Sequence, residues 1–95
     1  MAIRSLRSKA LRRYWRRGDI GAINPVWRNK VRLILSRLDK ATRPAEMDSA
    51  GMNFHALKGN QTGRFSVLVT RNWRITFAWD GDDAIDVDLE DYPGN

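Results

Sequence analysis

Any chemistry in this chain has to be done without cysteine and with a single histidine, His55. That excludes a disulfide framework and a thiolate metal site, and argues against a metal site built on several histidines. Three short segments stand out as places for acid–base or electrostatic work. These are His55-Ala56-Leu57-Lys58-Gly59-Asn60, Asn72-Trp73-Arg74-Ile75-Thr76-Phe77 and Asp88-Leu89-Glu90-Asp91-Tyr92. Each admits two readings. His55 is either a proton-transfer group near neutral pH or a hydrogen-bonded strand residue. Lys58, beside Gly59, is either a site residue or an exposed turn cation. Arg74 either serves a site or pairs with an acid of the last strand. Tyr92 either works in a site or packs at a strand end.

Positioning these groups falls to two helices followed by strands. Over residues 6–16 the spacing predicts a helix. Leu6, Ala10, Leu11, Tyr14 and Trp15 form one stripe, Lys9, Arg12, Arg13 and Arg16 lie opposite, and Gly18 is the stop. Asn24-Pro25 predicts an N-cap and first helical residue for a second helix, carrying Trp27, Val31, Ile34, Leu35 and Leu38 on one face and ending before Pro44. The period then falls to two over residues 64–70, 73–79 and 85–89, with a less regular strand over 53–57. Lys58-Gly59-Asn60 and Gly81-Asp82 are turn signals between these runs. Residues 2–5 are either a strand or frayed chain. The order implies an α+β domain spanning residues 1–95, with two N-terminal helices packed on one face of a small, mostly antiparallel, four- to five-stranded sheet.

Strand parity then sorts the side chains. With Phe65, Val67, Val69, Trp73, Ile75, Phe77 and Trp79 facing the helices, Arg64, Ser66, Thr70, Arg74 and Thr76 share the opposite, front face. Regular alternation sends Ile85, Val87 and Leu89 inward and Asp86, Asp88, Glu90 and Tyr92 to the front, with Asp91 on the other side. Such a face is either solvated or functional. The four tryptophans are read as core and sheet-face packing.

Charge divides the chain as sharply as period does. Its net value is +6, yet residues 1–43 hold 13 of the 17 basic residues against only Asp19 and Asp39. The rest of the chain carries nine acids against Lys58, Arg64, Arg71 and Arg74. This asymmetry suggests a cationic surface for a polyanion, with an acidic segment folded back against it. The Arg12-Arg13 and Arg16-Arg17 pairs are either a solvated helix face or an RNA contact. No apolar run reaches the roughly 18 residues of a membrane span, and none follows the basic start as in a signal peptide. The expectation is a cytoplasmic domain without membrane contact.

The two-helix beginning, the Ile-Arg-Ser-Leu opening, the His-x-Leu-Lys-Gly segment at 55–59, the glycine before the alternating strand, Asn-Trp-Arg-Ile-Thr-Phe at 72–77 and the closing Glu-Asp-Tyr at 90–92 together carry a resemblance. In this order and spacing the chain resembles the HigB branch of the RelE/ParE toxin superfamily over essentially its whole length. The resemblance implies a RelE-like fold and a type II toxin that enters the ribosomal decoding site and cleaves messenger RNA. It further implies a helix-turn-helix antitoxin of the HigA kind, the two together binding operator DNA. The implied chemistry is attack of a ribose 2′-hydroxyl on the adjacent phosphate, which needs no metal or other cofactor.

Carried over by motif position, the resemblance makes Lys58 and Arg74 the phosphate-contacting cations. It makes Asp91 and Tyr92 part of a C-terminal catalytic segment and His55 a proton-transfer group. Arg64, Arg12, Arg13 and Arg16 are the further RNA-binding candidates. One departure stands out: this branch typically closes with Asp-Tyr-His, and here Pro93 follows Tyr92. Two alternatives come with it. One is a non-catalytic relative that still binds antitoxin or ribosomal RNA; the other is a gyrase poison of the ParE type, which shares the fold.

Overall fold

Ser8 opens the first helix, α1 (Lys9–Arg17), by accepting the Leu11 N–H on its hydroxyl at 3.2 Å. Gly18 closes it in the left-handed conformation (φ 74°), with the Gly18 N–H on the Tyr14 carbonyl and the Asp19 N–H on that of Arg13. This is the paired C-terminal capping that a glycine makes possible. The helix starts three residues later than the spacing predicted, because Leu6 belongs to an extended segment bridged to the sheet. Asn24 caps as expected, its side chain accepting the Val26 N–H, but residues Pro25–Trp27 form a 3-10 turn before the second helix, α2 (Arg28–Lys40). Val31, Ile34, Leu35 and Leu38 are its buried face.

The computed structural model describes residues 2–91. After α2 come β1 (His55–Ala56), β2 (Arg64–Leu68), β3 (Trp73–Asp80) and β4 (Asp83–Asp91), in the spatial order β1-β2-β3-β4 with every pairing antiparallel. The strand expected over 53–57 shrinks to two residues; Asn53 adopts φ 47°, a left-handed conformation that asparagine tolerates and a strand does not. Residues 2–7 run parallel along the outer edge of β4, with the Arg4 N–H on the Ala84 carbonyl and the Arg7 N–H on that of Val87. That segment covers a sheet edge that would otherwise stand open.

One irregularity sets the faces of β4. Ala78 faces Ile85 and Thr76 faces Asp88, so Phe77 alone opposes both Asp86 and Val87. This is a β-bulge, with Asp86 at φ 50°. Its cause lies in the sequence. The two-residue turn at Gly81-Asp82 starts the pairing at Asp80 and Asp83. An unbroken register from there would turn Asp86, Asp88 and Glu90 into the core and Val87 and Leu89 out, since a one-residue slip exchanges the faces. The extra residue restores Val87 and Leu89 to the core. It also corrects the regular alternation expected for this strand, because Ala84 is fully buried in place of Ile85.

The core lies between the helices and the back of the sheet. Leu11, Val31, Ile34, Leu35 and Leu38 meet Val67, Ile75, Phe77, Ala84 and Val87, with Ile23, Met47 and Met52 supplied by the connecting segments. Phe54, Phe65 and Phe77 stack with successive ring centroids 5.7 Å apart, and Trp27 lies 5.0 Å from Trp73. The phenylalanine stack runs across β2 and β3, the Trp79–Phe77 edge contact lies within β3, and the Trp27–Trp73 pair joins the turn before α2 to the sheet. The acids of the β3–β4 hairpin and of β4 are directed at the basic N-terminus: Arg4 pairs with Asp80 and Asp83, and Arg7 lies 3.6 Å from Asp86. The two carboxylates hold the Arg4 guanidinium above its ordinary pKa. Among the described residues no helix is long and apolar enough to cross a membrane.

Candidate active site

Register assigns the front face row by row, because directly opposed residues in an antiparallel sheet point the same way. The central row is His55, Ser66, Thr76 and Asp88, one from each strand. On one side of it stand Leu68, Arg74 and Glu90; on the other, Arg64, Ala78 and Ile85. Adjacent rows are about 7 Å apart along the strands. The two arginines therefore start on opposite sides of the central row, and their side chains converge on it. Arg64 Nη2 donates to Thr76 Oγ1 at 2.8 Å, and Arg74 Nη1 lies 3.5 Å from Ser66 Oγ.

The front is not a solvated face. Arg64 and Arg74 are only 9% and 8% exposed, and Ser66 and Thr76 are buried between them. Arg64 Nη2 also donates to the carbonyl of the bulge residue Asp86 at 2.9 Å, while the Thr76 hydroxyl donates to Glu90. Glu90 Oε2 is 3.9 Å from Arg64 Nη2. Two guanidinium charges thus sit over one short polar row, with the Glu90 carboxylate near that of Arg64. Charges held out of water in this way act more strongly on an anion than the same charges in solvent. Among the described residues, no group of three or more histidine and acidic side chains is arranged to hold a metal ion.

The remaining candidates fall into three places. His55 ends the central row on the sheet's short edge strand, exposed, with Nε2 3.2 Å from the Asn53 Oδ1. Register sets it directly opposite Ser66, the residue Arg74 reaches. Lys58 lies three residues further on, where the chain leaves β1 for the Gly59–Gln61 turn, and Gly59 at φ 69° makes that turn possible. Its ammonium is exposed and forms no ion pair among the described residues. Asp91 faces Trp73, on the side away from Arg74. Tyr92 and Pro93 lie outside the described residues.

Arg12, Arg13 and Arg16 stand apart from all of these. With Lys9 and Arg17 they line a shallow groove on α1, whose Leu11 is buried behind the sheet. Their contacts are local: Arg12 with the Leu6 carbonyl and Arg13 with Asp19 at 2.6 Å. Arg64, the other RNA-binding candidate, is on the sheet front, where strand parity sets it, and away from this surface group. Thr76 and Glu90 were not singled out as site residues from sequence. Their signal was present in the parity of β3 and β4, but only the pairing register shows that Glu90 stands opposite Arg74.

Two helices packed with a four-stranded antiparallel sheet are consistent with the fold of the RelE-like toxins. The chain belongs to their family: residues 4–92 match the RelE-like toxins of the HigB type II toxin–antitoxin system. Among its relatives is the endoribonuclease HigB of Proteus vulgaris, 31% identical over 90 residues that cover 95% of this chain and 98% of that protein. Membership in a toxin–antitoxin family implies an antitoxin partner.

Proposed function

We propose that this toxin is a messenger-RNA endonuclease that works in the decoding site of the ribosome and so blocks translation. What carries the reading is the convergence of two nearly buried arginines on one polar row ending in His55. The family and the relative's name support the same activity. In the reaction a ribose 2′ oxygen bonds to the adjacent phosphorus as the P–O5′ bond breaks, leaving a 2′,3′-cyclic phosphate and a 5′-hydroxyl end. Arg74 and Lys58 hold the non-bridging oxygens, where negative charge builds up in the transition state. Arginine suits this role because its planar fork matches two phosphate oxygens. His55 takes the 2′ proton and Tyr92 assists the leaving oxygen, while Asp91, which faces Trp73 on the other side of the sheet, has no part in the step. The exposed arginines of α1 steer the protein to ribosomal RNA. A HigA-like helix-turn-helix antitoxin neutralises the toxin in the cytoplasm, and the pair binds operator DNA.

Inducing the chain without its antitoxin tests this reading. Growth should stop, and transcripts should acquire new ends within coding sequence that carry a 5′-hydroxyl. The Arg74→Ala variant should accumulate folded and leave both growth and transcripts intact. Folded wild-type protein that produces no new ends would sink the proposal.

A further inference from the structure

A chain of hydrogen bonds joins the outer edge of the sheet to its front face, and it runs through the bulge. Residues 2–7 lie along β4, bridged at Ile3–Ala84 and Leu6–Val87. Between those bridges Ser5 holds two consecutive N–H groups of β4. Its hydroxyl oxygen accepts from Asp86 at 2.8 Å, and its carbonyl accepts from Val87 at 3.1 Å. Successive N–H groups of a regular strand point to opposite edges, so one residue can hold both only where a bulge has turned one of them. The Ser5 hydroxyl also lies 3.5 Å from one Asp86 carboxylate oxygen, and Arg7 lies 3.6 Å from the other.

Asp86 sits at φ 50°, a conformation that aspartate tolerates but does not prefer, so its orientation depends on what binds it. On its other side, the Asp86 carbonyl accepts from Arg64 Nη2 at 2.9 Å. Arg64 starts on β2, and its side chain crosses β3, bonding Thr76 at 2.8 Å, to reach β4. Both acceptors fall on one nitrogen. Because a guanidinium is planar, they fix the direction of the other two. Nε and Nη1, with three of the five N–H donors of an arginine, are buried without a hydrogen-bond partner among the described residues. A guanidinium aimed so firmly yet left largely unsatisfied costs stability, so what these contacts secure is its direction.

We infer that Ser5 is a positioning residue for the front-face site: by holding the Asp86 N–H it fixes the bulge carbonyl that aims the Arg64 guanidinium at bound RNA. The inference rests on the proposed function, with Arg64 as an RNA-binding residue of that face. The segment that covers the sheet edge thereby acts on the site from the far side of β4.

The test joins single-turnover cleavage of messenger RNA on programmed ribosomes with the proton–nitrogen NMR signal of the Arg64 Nε–H. Ser5→Ala should slow cleavage about 10-fold at saturating ribosome concentration and speed exchange of that N–H with water by a similar factor. Ser5→Thr, which keeps the hydroxyl, should match wild type in both. Ile3→Val loosens the same segment away from the bulge; it should lower the melting temperature and leave both readouts within about twofold of wild type. In an Arg64→Met background, where no bond to Asp86 can form, Ser5→Ala should slow cleavage by less than about twofold further, because residues acting in series do not add. If Arg64→Met fails to fold or to cleave, the exchange readout decides alone. The inference is overturned if Ser5→Ala leaves the Nε–H exchange unchanged, or if Ile3→Val reproduces its effects. It is equally overturned if Ser5→Ala slows the Arg64→Met protein as much as the wild type. Wild-type protein that does not cleave, with the exchange result as expected, overturns the proposed function and not the coupling of Ser5 to Arg64, which separates the two failures.

Discussion

The protein displays arginine in two opposite manners. On α1, Arg12, Arg13, Arg16 and Arg17 are exposed along one helix face, and the contacts that Arg12 and Arg13 make are with nearby residues of the chain. On the sheet, Arg64 and Arg74 are nearly buried, and they reach across neighbouring strands to hydroxyls from opposite sides of one row. Net charge counts the two sets alike. Physics does not: an exposed guanidinium is screened within about 8–10 Å at ordinary salt and acts mainly through its contribution to the field. A buried one is fixed in direction, and its shape matters as much as its sign. The first set is suited to bringing a polyanion near, the second to holding one phosphate in one orientation.

Exchanging arginine for lysine in each set should separate them most widely. Lysine keeps the charge and loses the planar fork. Arg74→Lys is expected to lower cleavage on the order of 10²-fold, the scale for misplacing a charged donor in a reacting site. Changing Arg12, Arg13 and Arg16 to lysine together should leave the rate within about twofold, because the field is retained. Cleavage assays on purified variants decide this; an Arg74→Lys protein as active as wild type would erase the distinction.

Removing the charge, rather than the shape, should give the smaller and salt-dependent effect. With Arg12, Arg13 and Arg16 all changed to alanine, ribosome binding should weaken about tenfold at low salt. The slope of log affinity against log salt should become shallower by up to roughly 2 to 3, the amount for three phosphate contacts. The melting temperature should hardly move, because these side chains leave the core untouched. Binding titrations at several salt concentrations provide the check, and a loss that does not depend on salt would mean the α1 arginines make directed contacts after all.

Much of this contrast was legible in the sequence. The helical stripe of α1 with Leu11 inward, the buried face of α2 and the inward run Trp73, Ile75 and Phe77 follow from period alone, because burial of apolar side chains dominates the choice of face. Parity also put Arg64, Arg74, Thr76 and Glu90 on one face. Parity gives a face and no register, however. That His55 shares a row with Ser66, or that Arg64 reaches Thr76 and the bulge carbonyl, depends on long-range pairing that no local pattern encodes. The bulge was missed for a related reason: it arises from a conflict between a turn and a hydrophobic run, each of which looks regular by itself. Burial of the front was missed because the arginines' own long side chains fold over the row and close it.

Asp19 offers the finest test of the exposed set, since it is the acid that engages one of its members. Its carboxylate accepts the Gly21 N–H at 2.9 Å and pairs with Arg13 at 2.6 Å. The Gly21 hydrogen bond first, and then Arg13, hold its pKa below the ordinary 3.8. A carboxyl whose pKa is lowered by folding stabilises the fold fully above its unfolded value and loses that contribution as pH falls through the lower folded one. Asp19→Asn should therefore melt slightly below wild type at neutral pH, and the gap should close in strong acid below both values. At neutral pH the same variant releases Arg13 and removes a negative charge, so ribosome binding should stay equal or tighten slightly at low salt. A gap in melting temperature that persists in strong acid would show that the Asp19 charge is not what holds this turn. Weaker binding would show that Arg13 works only when the carboxylate holds it in place, which would move it from the field-making set to the directed one.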